Sequence, residues 1–393
     1  MKIDAVDFFY LSMPQVTSEA DGSQDALLVR VAAGGFVGWG ECEASPLVSI
    51  AAFVCPMSHG VCRPVSDSVL GMPIDKPEDI AAISSAVAYN SMDLLQAPHT
   101  LSGIEIALWD LLGKARGEPV WRLLGYPRSH RKTPYASALF ADSPETTMKR
   151  AAELHRRGFH AAKFGWGPIG RGTVGQDADQ FMAAREGLGP DAMLFVDVGQ
   201  IFGEDVDAAA SRLSALEQAG AVWLEEPFHG SAYDAYAGLA SRLGSARLRL
   251  AGGEAAHNTY MAQHVMDYGK VGFIQIDTGR IGGIGPAKQI ADHAVRKGVT
   301  FVNHTFTSHL ALSASLQPFA GLADHRICEY PAAPKPLARD ITVNHLEPDD
   351  AGTVAAPDAP GLGITVNEDC FGRYLRQVEI RIDGTPLFSG SPT

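Results

Sequence analysis

The sequence predicts an α/β protein built mainly as a (β/α)8-type barrel, and three observations carry that prediction. Asp197, Glu225, Glu254, Asp277, His304 and Glu329 each close an apolar run and follow one another at 28, 29, 23, 27 and 25 residues, the length of one strand plus one helix. Beyond Pro127 a short apolar run alternates with a longer amphipathic stretch almost without interruption. The first 60 or so residues follow a different, antiparallel pattern. In a closed barrel every strand ends at the same mouth, so distant residues converge on one centre.

Taken in order, DALLVRVAAG and GFVGWGECE alternate as strands, and Gly34-Gly35 between them predicts a hairpin turn. From about 77 to 125 the pattern is helical. SGIEIALWDLLGKARG places Ile104, Leu108, Leu111 and Leu112 on one face before Gly117 and Pro119. The barrel strands follow as TPYASALF, HAAKF, AMLFVD, AVWLEE, LRLAGGE, VGFIQID, VTFVNH and RICEYP. The helices between them include PETTMKRAAELHRRG, DVDAAASRLSALEQAG, HNTYMAQHVMDYG, GPAKQIADHAVRKG and SHLALSASLQPFAG. Eight strands and seven helices make the barrel. From about 340 the chain turns rich in Pro, Asp and Gly, and RYLRQVEIRID predicts a strand that rejoins the first domain. The expected division is 1–128 plus about 345–393 for one domain and 129–344 for the barrel.

Bulk properties bound the function. A chain of 393 residues, 46% apolar and 20% charged, suits a large buried core in two unequal domains. Five scattered cysteines without CxxC spacing argue against a disulfide framework or zinc knuckle. The N-terminus has no signal-like apolar region and no segment is long enough to span a bilayer, so a cytoplasmic protein is expected. A net charge of −13 opposes nucleic-acid binding, and an anionic substrate would need local cations.

Asp197, Glu225 and Glu254 end three consecutive strands, where three carboxylates would repel one another without a cation between them. Mg²⁺, which takes oxygen ligands and leaves positions to water or substrate, answers that need; Mn²⁺ is also chemically possible. Any one of these acids alone would read as a solvated strand end or a helix N-cap. Asp277 and His304 end the next two strands, where an aspartate can fix an imidazole's tautomer and raise its basicity, a base with its orienter. His160, His264 and His309 lie off the strand-end rhythm and read as structural. Lys163 ends the second strand and either neutralises substrate charge or snorkels out of the barrel. Glu329 either donates to a developing enediolate oxygen when protonated or holds a neighbouring residue in place.

With these residues in place the chain resembles the enolase superfamily, and within it the mandelate racemase subgroup, over nearly its whole length. Gly38-Trp39-Gly40-Glu41, SGIEIALWDLLGKARGEPVWRLLG, LEEP, GGE, IDTGRIGGI and VNHTFTSH occur in the family's order. The resemblance implies a modified TIM barrel under an α+β capping domain made from both chain ends, with residues near 13–25 and 46–63 closing over the mouth. It also implies Mg²⁺ on Asp197, Glu225 and Glu254, a His304–Asp277 dyad, a small-molecule acid-sugar substrate and a homo-oligomer. Two departures stand out. Where many members carry KxK this chain has Lys163-Phe164-Gly165, and their DxN is Asp197-Val198-Gly199. With only His304 evident as a base, the expected reaction is dehydration of an aldonate or aldarate to a 2-keto-3-deoxy acid. An epimerase or cycloisomerase is the alternative, favoured if His59 or Tyr135 reached the opposite face. A non-catalytic binding barrel is the other alternative, and Arg63, His59 and Arg280 are candidate substrate contacts.

Overall fold

The computed structural model describes residues 1–390 except 20, 44, 245 and 246. An antiparallel sheet of β1 (Ile3–Ser12), β2 (Asp25–Ala33) and β3 (Phe36–Cys42) opens the chain. The β2–β3 turn is the expected one, with Gly34 and Gly35 at φ of 56° and 83° and Ala33 facing Phe36 across it. Strand β1 is an addition to the sequence reading. Its alternation is hidden because both faces are covered: Phe8 packs on Phe53 while Phe9 packs on Trp39 and Phe371.

Helix Ala97–Arg116 lies across this sheet and ends where Gly117 turns left-handed at φ 67°. Its approach to β3 is so close that a Cβ on Gly38 would stand 2.6 Å from Leu111 N, and one on Gly40 2.8 Å from Ala107 N. The glycines of the GWGE segment are there for that contact.

The barrel strands are β4 (Thr133–Leu139), β5 (Ala161–Gly165), β6 (Met193–Asp197), β7 (Ala221–Glu225), β8 (Arg249–Gly252), β9 (Phe273–Ile276), β10 (Thr300–Asn303) and β11 (Ile327–Tyr330). All pair in parallel in the order β10-β9-β8-β7-β6-β5-β4-β11. Side chains close the seam between β10 and β11. Asn303 Oδ1 accepts the Glu329 N–H at 2.9 Å and its amide reaches the Glu329 carbonyl at 3.3 Å, while His325 Nδ1 accepts the Phe301 N–H at 2.8 Å.

Strand periodicity then builds the site. Tyr135, Ala161, Phe195, Trp223, Ala251, Phe273, Val302 and Ile327, one from each strand, fill the barrel interior, and Phe195 stacks on Trp223 at 3.9 Å. Two residues further along the chain, Lys163, Asp197, Glu225, Gln275, His304 and Glu329 form the next layer up. The intervening Ala162, Val196, Leu224, Ile274 and Cys328 face the surrounding helices. The helix expected after β6 is two pieces, Val206–Ala210 and Leu213–Gln218, and Arg212 between them bonds Asp177 at 3.0 Å.

Past the barrel, Val354 pairs with Lys132 and packs with Ala356 in the barrel's outer core. Leu362, Ile364, Phe371 and Tyr374 pack instead in the core of the N-terminal sheet. Arg376 N–H donates to the Tyr10 carbonyl at 2.8 Å, and the hairpin β12 (Glu379–Ile382) and β13 (Thr385–Ser389) lays Phe388 against Phe8. Among the described residues no helix is long and apolar enough to cross a membrane, and all five cysteines are free.

Candidate active site

A cleft of about 1030 Å³ opens over the strand ends, and Lys163, Asp197, Glu254, Arg280 and His304 line its floor. The register sets Gly165 beside Asp197 and Asp197 beside Glu225. Asp197 Oδ1 accepts the Gly199 N–H at 2.9 Å. Glu225 accepts from Lys163 Nζ at 2.7 Å and from Trp223 Nε1 at 3.0 Å. Lys163 Nζ also stands 3.0 Å from Glu329 Oε1. The lysine therefore stays inside the barrel rather than snorkelling out. Burial would push its pKa down, but Glu225 and Glu329 outweigh burial and raise it well above the usual lysine range, so it is a fixed cation.

His304 is held between two carboxylates, with Nδ1 2.7 Å from Asp277 Oδ2 and Nε2 3.1 Å from Glu254 Oε2. Burial alone would lower its pKa, but the charges of Glu254 and Glu329 and the bond to Asp277 raise it to about 10. Glu254 moves the other way: against its burial, His304, Arg280 and Lys163 bring it down to about 2. Glu329 Oε2 accepts the Thr305 N–H at 2.8 Å, so this acid fastens the loop that follows His304.

The IDTGRIGGI segment is explained by the helix across the capping sheet. Glu105, buried, accepts the Ile284 N–H at 2.6 Å and the Gly285 N–H at 2.8 Å, and its neighbour Ser102 accepts the Gly282 N–H at 2.8 Å. Gly283, at φ 110°, leaves the room the carboxylate needs. Asp277 Oδ1 accepts the Gly279 N–H at 2.7 Å, which orients its other oxygen toward His304.

Of the candidate substrate contacts only Arg280 reaches the mouth, 3.2 Å from Glu43, 3.4 Å from Glu254 and 3.8 Å from Asp277. His59 pairs with Asp93 at 3.3 Å on the surface and Arg63 bonds the Gly60 carbonyl, both away from the cleft. Tyr135 is no loop residue but a buried member of the barrel's interior layer, below Lys163. Neither His59 nor Tyr135 offers a base on the face opposite His304. The segment 13–25 contributes Glu19, Asp21 and Gly22 to the cleft wall; 46–63 contributes nothing, and its first part is the helix Pro46–Val54. His309 is buried and accepts the Leu346 N–H at 3.1 Å, and His264 packs between Tyr233 and Tyr268.

Three residues at the mouth escaped the sequence reading. Glu43 balances Arg280 from the capping sheet, and the alternation of GECE was the available signal. Glu226, which burial and Glu254 push up to about 8, bonds Gln200 Nε2 at 3.0 Å. Trp166 stands at φ 58° with its indole over Gly199.

The carboxyl groups of Asp197, Glu225, Glu226, Glu254, Asp277, Glu329 and Glu43 outnumber the cations Lys163, Arg280 and His304. Burial and the neighbouring acids push Asp197 well above the usual carboxylate range and raise Glu225 against the pull of Lys163. As oriented, no three acidic, His or Cys side chains among the described residues converge as a ligand set, because Glu225 turns to Lys163 and Glu254 to His304. An all-oxygen donor set on successive strand ends with excess negative charge fits a hard divalent cation.

This architecture has known counterparts. Residues 10–125 match the mandelate racemase/muconate lactonizing enzyme N-terminal domain, and residues 146–370 match the enolase C-terminal domain-like family. The chain belongs to the mandelate racemase/muconate lactonizing enzyme family of the enolase superfamily. A crystal structure described as a predicted mandelate racemase from Rhodobacter sphaeroides is 68% identical over the whole of both chains, with a TM-score of 0.96. The D-galactarolactone cycloisomerase of Agrobacterium fabrum is 31% identical, covering 86% of this chain and 88% of its own. The arabinonate dehydratase of Saccharolobus solfataricus is 27% identical over 70% of this chain and 71% of its own. Relatives of this family thus include dehydratases, cycloisomerases and a racemase.

Proposed function

We propose that this protein is an acid-sugar dehydratase that removes the proton α to a carboxylate and expels the β-hydroxyl. The observation that carries the reading is the asymmetry of acid–base groups around the cleft. His304, oriented by Asp277, faces it from one side. On the strand-two side stand Lys163, locked as a cation by two carboxylates, and Gly165, which has no side chain. Racemisation needs a base on each face of the carbanion, whereas elimination needs one group that takes a proton and returns it.

Asp197, Glu225 and Glu254 would hold Mg²⁺ (Mn²⁺ is the chemical alternative), and a divalent ion there supplies Lewis-acid stabilisation of the charge that develops on the substrate carboxylate. With Glu254 committed to that ion, His304 would lose the carboxylate that chiefly raises its pKa, and the freed Nε2 would accept the α-proton while Asp277 keeps Nδ1–H oriented and stabilises the imidazolium. Lys163 supplies fixed positive charge beside the enediolate. The β C–O bond then breaks, His304 returns its proton to the leaving oxygen as water forms, and the enol tautomerises to a 2-keto-3-deoxy acid. Cycloisomerisation differs only in the leaving group, a ring oxygen in place of hydroxide, and the 31% identity to a galactarolactone cycloisomerase supports it as the second reading.

Purified protein with Mg²⁺ is to be screened against aldonates, aldarates and their lactones, with 2-keto-3-deoxy products read by a carbonyl reagent. Product from an open-chain acid supports dehydration, and product from lactones alone supports the second reading. Inversion at the α-carbon without elimination would overturn both.

A further inference from the structure

The cleft extends well beyond its charged reactive end. Over β4 and β11 the residues Ala138, Leu139, Pro331, Ala332 and Pro334 form an apolar stretch of its lining, which also includes Lys149, Arg150, Arg156 and Lys335, and Trp166 stands among the lining residues. Trp166 is 44% exposed, whereas Trp39, Trp109, Trp121 and Trp223 are buried.

The indole's position is built rather than incidental. Trp166 adopts φ 58°, a left-handed conformation costly for a bulky side chain, and its N–H donates to the Asp197 carbonyl at 3.1 Å. Its ring lies over Gly199, itself left-handed at φ 53°, where a Cβ would come within 2.8 Å of Trp166 Cδ2 and Cε2. The missing side chain at 199 and the aromatic at 166 therefore form one arrangement: the indole occupies the space that a side chain at 199 would enter. Of the four cations Lys149, Arg150, Arg156 and Lys335, three are paired with acids and Arg150 bonds only a carbonyl. Lys149 is 2.6 Å from Glu145, Arg156 pairs with Glu153, Lys335 is 3.0 Å from Glu19, and Arg150 bonds the Leu139 carbonyl.

We propose that Trp166, seated on Gly199, is a specificity-determining residue: its indole is the platform on which a C–H-rich face of the substrate stacks. The proposal rests on the acid-sugar reading for the reactive end. Indole stacks on the C–H face of a sugar, and the apolar wall formed by Ala138, Leu139, Pro331, Ala332 and Pro334 lines the same cleft.

The test uses L-rhamnonate, D-gluconate and D-galactarate with Mg²⁺, reading binding by calorimetry and by tryptophan emission, and turnover by keto-acid formation. Trp223, bonded to Glu225, emits as well, so the part of the change that Trp166→Ala abolishes is the part that reports on residue 166. Expected for the wild type is an emission change with each acid that binds. Expected for Trp166→Ala is a smaller change and about tenfold weaker binding, or an equal rise in KM with kcat within about threefold where turnover is seen. Gly199→Asn should displace the indole and cost as much, and the double variant should be no worse than Trp166→Ala alone. Equal affinity of wild type and Trp166→Ala, additive losses, or no binding by any of the three acids would each overturn the proposal. Binding with the expected emission change but no keto acid leaves the platform standing and counts against the dehydratase reading alone.

Discussion

Replacing Gly40 by alanine should cost far more than its single methyl suggests. A Cβ at Gly40 would lie well inside contact with the Gly103 carbonyl oxygen and 2.8 Å from Ala107 N, both backbone atoms of the helix across the sheet. No rotamer can relieve a clash with backbone. Ordinary contact begins at 3.4 Å, so strand and helix must part by more than about 0.6 Å. A gap of that size forfeits a quarter to a half of each dispersion contact along the interface, which buries Ile104, Ala107, Leu108 and Leu111. With the strain of overpacking, the loss should be about 3 kcal/mol. Residue 41 moves with the strand, and Glu41 accepts the Ser308 hydroxyl that caps the helix after His304, so turnover should fall as well. The control is Gly35→Ala: it has no atom within 4 Å and a φ of 83°, and it should lose about 1 kcal/mol to backbone strain alone. Urea unfolding of the two variants beside wild type measures the difference. Equal losses for both, or a loss under about 1 kcal/mol for Gly40→Ala, would show that the strand–helix contact is not close-packed at residue 40.

Two other perturbations have signs fixed by the site and the core. Lys163→Met leaves Glu225 and Glu329 buried without their cation, so it should lose about 3–5 kcal/mol in chelator and recover part of it with Mg²⁺, read as melting temperature in each condition. His309, buried as an acceptor from Leu346 N–H, has its pKa pushed down to about 4 by burial and by His345. Its folded pKa lies below the unfolded value of 6.5, so its contribution is complete above 6.5 and is lost as pH falls toward 4, at up to about 1.4 kcal/mol per unit. Comparing urea midpoints at pH 7 and 5, wild type should lose more than His309→Gln; the difference isolates this residue from Glu41 and Glu105, which burial raises to about 7 and which titrate in the opposite sense.

The barrel and its mouth were legible because strand period and strand-plus-helix spacing are local properties: a residue that ends an apolar run also ends a strand. Asp197, Glu225, Asp277 and His304 stand where that rhythm puts them. What stayed hidden depends on contacts between distant segments. Strand β1 lost its alternation because Phe371 and Phe388, from the far end of the chain, cover its two faces. Glu43 acquires a role only through Arg280, 237 residues away. His59 and Arg63 carried the right chemistry for a substrate contact but lie on a surface turn. Trp166 was invisible because its placement needs both its own left-handed backbone and a glycine at 199, which the sequence shows only as a missing asparagine.

One-base proton abstraction by His304 can be followed as α-hydrogen exchange in D₂O with a turned-over acid sugar, wild type against His304→Asn. Keto-acid formation is expected from the wild type, and neither exchange nor product from the variant while its Mg²⁺ affinity and fold are kept. Exchange at the α-carbon in His304→Asn at the wild-type rate would contradict abstraction by His304 and move the base elsewhere in the cleft.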